Sequence, residues 1–405
     1  MSGYASTSPG VRGILKSQAE DFVVEEIPKI ISRAEDGKYT ILKVRLTNWD
    51  TNRFLIYLAR YLGISKKRIT YCGTKDKRGK TTQYFCLNHN FDPSGINIGG
   101  CEVIESFRSN QILGLGDLLG NRFTIDLKIN DRDIEAVKNI HDELNLKGGF
   151  PNFFGLQRFG SLRTNTHKIG KMLTLGEYEE AARTYIYDPE FDTEDYRINF
   201  AKNNDPVAAM KEFPETLNFE RSLLGYMIQH GNLKEAFSVF PKNLSMIFIH
   251  AYQSYIFNRI LSLRMRITES MNQIFPGDIV MPVDYLFNPD KSQGISVNRI
   301  NLEKIQGMVN SDRLRPTIPI FGYETEISRD GPGELEAQIL EEEKLDTRMF
   351  RISGYPDLSS KGERRIISCK PLNFSILEGG ILDFQLGRGV YATSLIREFL
   401  KENEA

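Results

Sequence analysis

The residues best suited to chemistry lie together in Tyr71-Cys72-Gly73-Thr74-Lys75-Asp76-Lys77-Arg78-Gly79-Lys80-Thr81-Thr82-Gln83. One acid, Asp76, stands between Lys75 and Lys77, with Arg78 and Lys80 close behind. From Arg60 to Lys80 there are eight basic residues (Arg60, Lys66, Lys67, Arg68, Lys75, Lys77, Arg78, Lys80) and one carboxylate. Cations at that density favour the ionised acid and push its pKa below the free value of about 3.9. A carboxylate held in its charged form is a poor proton donor near neutral pH, but it can serve as a nucleophile or an anchor. The basic surroundings suit the phosphates of a polyanion. Gly73 and Gly79 allow close backbone approach, as a site loop between two strands needs. The same stretch also reads as an ordinary solvated turn. Gly73…Gly79-Lys80-Thr81 imitates a phosphate-binding P-loop, but that motif has four residues between its glycines. Here there are five, and the acid among them would face the phosphates.

Other stretches combine aromatic and polar groups. Asn152-Phe153-Phe154-Gly155-Leu156-Gln157-Arg158-Phe159-Gly160 interleaves three phenylalanines with an amide and an arginine. That mixture suits bases that stack and phosphates that pair; it equally suits a loop pinning one domain onto another through buried rings. Ala251–Asn258 reads as helix core rather than contact. In Gly120-Asn121-Arg122-Phe123, Asn121 can bond a base edge, and Phe123 can stack on it or simply fill a core. Gly389-Val390-Tyr391-Ala392-Thr393-Ser394 leads into a helix whose N-terminus attracts anions.

Composition narrows the field. The chain has 405 residues, 40% hydrophobic and 26% charged, with a net charge of −1. That is ordinary for a globular protein with room for two domains, so any nucleic-acid surface requires local segregation of charge. The four cysteines form no Cys-x-x-Cys pair, and the five histidines are dispersed. Neither a metal site nor a disulfide framework is expected. Carboxylate chemistry is left as the main enzymatic option. No run of about 18 apolar residues spans a membrane, and the first residues lack the apolar core of a secretory signal. The expected location is the cytoplasm.

The elements that must position these residues follow from periodicity. Val11–Lys16, Asp21–Ile27, Lys38–Thr47, Ile69–Cys72, Thr81–Leu87 and Arg122–Ile129 read as strands. Thr51 reads as the cap of a helix through Leu62, and Asp131 as the cap of one carrying Ile134, Val137, Ile140 and Leu144. Residues 151 to about 270 are helix-rich. Strand-like pieces return at 276–327, and 364–369, 373–377 and 381–386 resemble the N-terminal strands again. The pattern predicts an α+β fold with a largely antiparallel sheet. One sheet domain (1–150 and 351–405) is interrupted by a mixed, helix-rich insertion at 151–350.

Gly73-Thr74-Lys75-Asp76-Lys77, Asn121-Arg122-Phe123, Asn152 to Gly160, Tyr252-Gln253-Ser254-Tyr255 and Tyr391 to Glu398 resemble, in order, the signature blocks of the TruD family of tRNA pseudouridine synthases. Lys16 followed by Glu20-Asp21-Phe22 resembles the first of them. The resemblance implies a pseudouridine-synthase catalytic domain interrupted by a TruD insertion domain. It also implies isomerisation of a tRNA uridine, expected at position 13 in the D arm. Asp76 matches the catalytic aspartate and Lys16 its basic partner. Phe22, Asn121, Phe123 and Tyr391 match positions lining the uridine pocket. Lys75, Lys77, Arg78, Lys80 and Arg158 are expected on the RNA, and no cofactor or metal is implied. A non-catalytic RNA-binding protein would use the same basic and aromatic groups without needing Asp76, and the residues leave the oligomeric state open.

Overall fold

A computed structural model describes residues 3–15, 18–75, 79–89, 91, 93–160 and 162–401. The first part of the chain contains β1 (Phe22–Pro28), β2 (Tyr39–Thr47), α1 (Thr51–Tyr61), β3 (Ile69–Tyr71), β4 (Lys80–Leu87), β5 (Cys101–Ser109), β6 (Leu118–Ile125), α2 (Ile134–Leu146) and β7 (Phe150–Pro151). Six helices follow: α3 (Thr166–Leu175), α4 (Tyr178–Ile186), α5 (Asp195–Asn203), α6 (Pro206–Glu212), α7 (Asn218–His230) and α8 (Lys242–Ile267). Next come β8 (Ile279–Pro282), β9 (Ile295–Ser296), α9 (Leu302–Asn310), β10 (Leu314–Ile320) and α10 (Asp330–Glu342). The chain ends with β11 (Glu363–Ile366), β12 (Ser368–Cys369), β13 (Leu372–Ile376), β14 (Leu382–Gly387) and α11 (Ala392–Leu400).

The fold is α+β. Its main sheet runs β13-β14-β6-β1-β4-β2-β5, with β3 also on β4. Every pairing is antiparallel except β1 with β4. Strand side chains alternate between faces, so the register fixes what shares a face. Val24 lies opposite both Thr81 and Phe123, Glu26 opposite Asn121, and Val44 opposite Gln83. That face carries two apolar clusters. In one, Phe22, Val24, Phe123, Ile125 and Phe384 pack with residues of α2 and α11. In the other, Leu42, Val44, Leu46 and Phe85 pack with Phe54, Leu55 and Leu58 of α1. Between them run the polar residues Glu26, Thr81, Gln83 and Asn121. Polar side chains facing a covered strip need partners, and the partners found there define the site.

The rest of the chain builds a second core around α8, where Tyr252, Ile256, Phe257, Ile260 and Leu261 are buried. A helix apolar on most sides belongs inside a domain. A smaller sheet, β11-β10-β8-β9, lies beside it.

Several expectations are corrected. Among the described residues, Val11–Lys16 forms no strand, only a bridge at Gly13. Asp50, not Thr51, caps α1, its carboxylate accepting the Arg53 N–H at 2.9 Å. Asp131 begins a short 3-10 turn capped by Asn130. Residues 363–366 do not rejoin the main sheet but pair with β10, while β12 pairs with β7.

Candidate active site

The polar strip opens into a cavity of about 390 Å3. Its walls are Phe22 and Val24 from β1, Gly73, Thr74 and Lys75 from the β3–β4 loop, Thr81, and Asn121 and Phe123 from β6; Gln157 and residues 389–393 close it. Phe22 meets Phe123 edge-on at 6.1 Å, and Phe123 stacks on Phe384 at 5.5 Å, so an aromatic wall is held from behind. Opposite stands Tyr391, just before α11, edge-on to Phe154 at 6.0 Å. The first N–H groups of α11 lack intrahelical acceptors, and Ala392 and Thr393 of that turn line the cavity. Asn121 Oδ1 is buried and has no partner among the described residues, which is costly unless something fills the role.

The loop leading to residue 76 is fixed by buried polar bonds. Lys75 donates to Glu26 at 2.6 Å; the lysine side chain is 10% exposed and the glutamate fully buried. Glu26 also accepts the Tyr84 N–H at 2.9 Å. Burial pushes the Glu26 carboxyl up from its ordinary value, and Lys75 and the Tyr84 N–H pull against that rise. Thr51 Oγ1 accepts the Lys75 N–H at 2.7 Å and donates to Gln83 Oε1 at 2.8 Å. On the far side, Gly79 has φ of 138°, and its Cα lies so close to Phe22 that a Cβ would come within 2.8 Å of the Phe22 carbonyl oxygen. Only glycine fits there.

A family description, tRNA pseudouridine synthase D (TruD), matches residues 1–399. The chain belongs to the TruD family. Members of this family isomerise uridine to pseudouridine in tRNA. A TruD relative from Picrophilus torridus, named "Probable tRNA pseudouridine synthase D", is 50% identical over 403 residues, covering 99% of this chain and 97% of the relative. A relative of the same name from Thermoplasma acidophilum is 48% identical, covering 95% and 92%. A solved TruD structure from Methanosarcina mazei superimposes with a TM-score of 0.82 at 34% identity, covering 99% of this chain and 96% of that one. Among the described residues, no helix is long and apolar enough to cross a membrane.

Phe22, Asn121, Phe123 and Tyr391, expected on a TruD uridine pocket, line one cavity. Asp76, Lys16, Lys77 and Arg78 lie outside the described residues. Lys75, expected on RNA, lines the cavity and is paired with buried Glu26. Lys80 is half-buried at the start of β4, opposite Val23 and Thr47. Lys66, Lys67 and Arg68 are exposed. Arg158 is half-buried and donates to Ser254 at 3.2 Å; Phe153, Phe154 and Phe159 beside it are buried in the second core. Sequence reasoning missed Glu26, Thr51 and Gln83. An acid amid the alternating apolar residues of β1 was the available signal for Glu26.

Proposed function

We propose that this enzyme converts the uridine at position 13, in the D arm of tRNA, and that Asp76 carries the reaction. One observation supports this most: four residues distant in sequence, Phe22, Asn121, Phe123 and Tyr391, line a single cavity together with Lys75, the chain neighbour of Asp76. The target base leaves the stack to enter that cavity, where the Phe22–Phe123 wall and Tyr391 hold its faces. Asn121 Oδ1, unpartnered among the described residues, accepts the uracil N3–H. Asp76 acts as nucleophile at C1′ or as the base that starts glycosidic cleavage. The N1–C1′ bond breaks, the uracil turns, and C5 bonds to C1′; C5 then loses its proton and N1 gains one, so no oxidant or nucleotide is consumed. Lys16 keeps Asp76 ionised, and Glu26, through Lys75, fixes where the loop begins.

Residues 1–150 and 351–405 form the catalytic unit in this reading, and the insertion at 151–350 grips the tRNA body. The main sheet, drawn from residues 22–125 and 372–387, supports that division; β11 is lent to the insertion's sheet. Tritium release from tRNA labelled at uridine C5 tests the reading. Release by the unaltered enzyme and none by Asp76→Asn is expected. Equal release by both removes Asp76 from the mechanism. No release by the unaltered enzyme on several tRNAs favours a binding protein.

A further inference from the structure

Behind the Tyr391 wall lies a second cavity of about 320 Å3, and Gly389 and Val390 line both. Its sides combine Phe287, Ile320 and Ile366 with Arg364, Arg365, Arg388 and the Lys291–Glu363 pair. Some of these charges are already matched: Lys291 by Glu363, and Arg364 by Glu336 at 3.6 Å with further bonds to Thr317 and Ser328. Arg365 and Arg388 differ. Arg365 donates only to the neutral backbone and side-chain oxygens of Asn152. Arg388 donates its guanidinium to the Gly116 carbonyl at 3.2 Å. Neither has a carboxylate partner among the described residues, and neither does Arg158. Arg365 and Arg158 both sit over the Phe154 ring, at 4.2 and 5.8 Å, and that ring abuts Tyr391. Burial pushes the Arg365 guanidinium down from its ordinary value, with Arg158 adding a smaller like-charge push. Guanidinium groups stay charged at any working pH. Glu363 of the same cavity is held by Lys291, and guanidinium groups that donate only to neutral oxygens favour an arriving anion.

The wall between the cavities is thin where it must be. Gly389 has φ of 73°, and a Cβ there would lie 3.9 Å from Arg365 Nη1. A polymer whose one nucleotide occupies the first cavity brings its phosphodiesters past this glycine. A free anion would need only the arginines, whereas Phe287, Ile320 and Ile366 offer surface to a base or ribose.

We propose that the second cavity is the subsite for the nucleotide adjoining the target uridine, with their shared phosphodiester held by Arg365 and Arg388. The proposal rests on the first cavity being the uridine site. The test uses full-length enzyme and tRNA in which the phosphate 5′ or 3′ to the target uridine is replaced by an uncharged methylphosphonate. On unmodified tRNA, Arg388→Ala weakens binding by about five- to tenfold and lowers the salt slope by about one. For one of the two modified tRNAs the unaltered enzyme suffers a similar loss, and Arg388→Ala adds nothing to it. Losses that multiply on both modified tRNAs overturn the subsite. Arg388 is exposed, so this variant keeps its fold; Arg365→Gln supplies a second reading of the same coupling. Failure of the uridine reading shows separately, as absent pseudouridine formation by the unaltered enzyme on unmodified tRNA.

Discussion

Two sets of arginines in this molecule follow opposite rules. In the helical core, Arg264 meets Asp278 at 2.5 and 2.8 Å, Arg197 meets Glu220 at 2.8 Å, and Arg259 reaches both Glu342 and Glu343. Around Tyr391 and Gly389, Arg158, Arg365 and Arg388 have only neutral acceptors among the described residues. A buried charge without a partner is costly, so the framework matches its cations. At the rim of a polyanion site an unmatched cation is useful. A net charge of −1 hides this division; pairing, rather than the number of cations, separates the framework from the proposed RNA surface.

That contrast can be broken in several ways. The largest stability loss, about 3–5 kcal/mol by denaturant unfolding, is expected for Asp278→Ala, which strands buried Arg264. The salt slope of tRNA binding should not change. Glu26→Ala strands Lys75 and should cost a similar amount, about 3–5 kcal/mol. It should differ in also lowering the single-turnover rate at saturating tRNA, since Lys75 begins the loop that carries Asp76; an unchanged rate would make Glu26 merely structural. Thr51→Val removes the acceptor of the Lys75 N–H and the donor to Gln83 Oε1, and should cost about 1–3 kcal/mol. Arg388→Ala should leave unfolding within about 0.5 kcal/mol while weakening RNA binding.

The smallest effect concerns the N-terminal segment. Glu143 accepts the Thr7 N–H at 2.7 Å and the Ser8 N–H at 3.1 Å. Burial alone would raise its carboxyl, but Lys147 and these donors outweigh burial and hold it well below the ordinary range. The stabilisation is therefore present above the unfolded carboxylate pKa of about 4.3 and fades as pH falls below it toward the folded value. Hydrogen exchange at Thr7 and Ser8 should lose protection below about pH 4, and constant protection would remove Glu143 from that role.

The sequence exposed the strands of the main sheet, because β1, β2, β4 and β6 alternate clearly. It pointed to Phe22, Asn121, Phe123 and Tyr391 through the ordered blocks that resemble the TruD family, since aromatic residues on strands read equally as core. Glu26 and Thr51 were hidden for a physical reason. An acid on a strand reads as a solvent position until the register places it opposite Asn121 and within reach of Lys75. Thr51 reads as a cap because threonine is among the favoured capping residues, although aspartate ranks above it; Asp50 took that role and freed Thr51 for Lys75. Arg364 and Arg365 are adjacent in sequence, yet strand neighbours point to opposite faces. One meets Glu336 and the other does not, a distinction that only the pairing of β11 with β10 reveals.

A crystal structure of the Asp76→Asn variant with tRNA tests the central claim most directly. The target uridine should be extruded into the cavity, its base between the Phe22–Phe123 wall and Tyr391 and its N3–H on Asn121. A target base still stacked in the D arm, or bound away from Asn121 and Tyr391, would contradict the account.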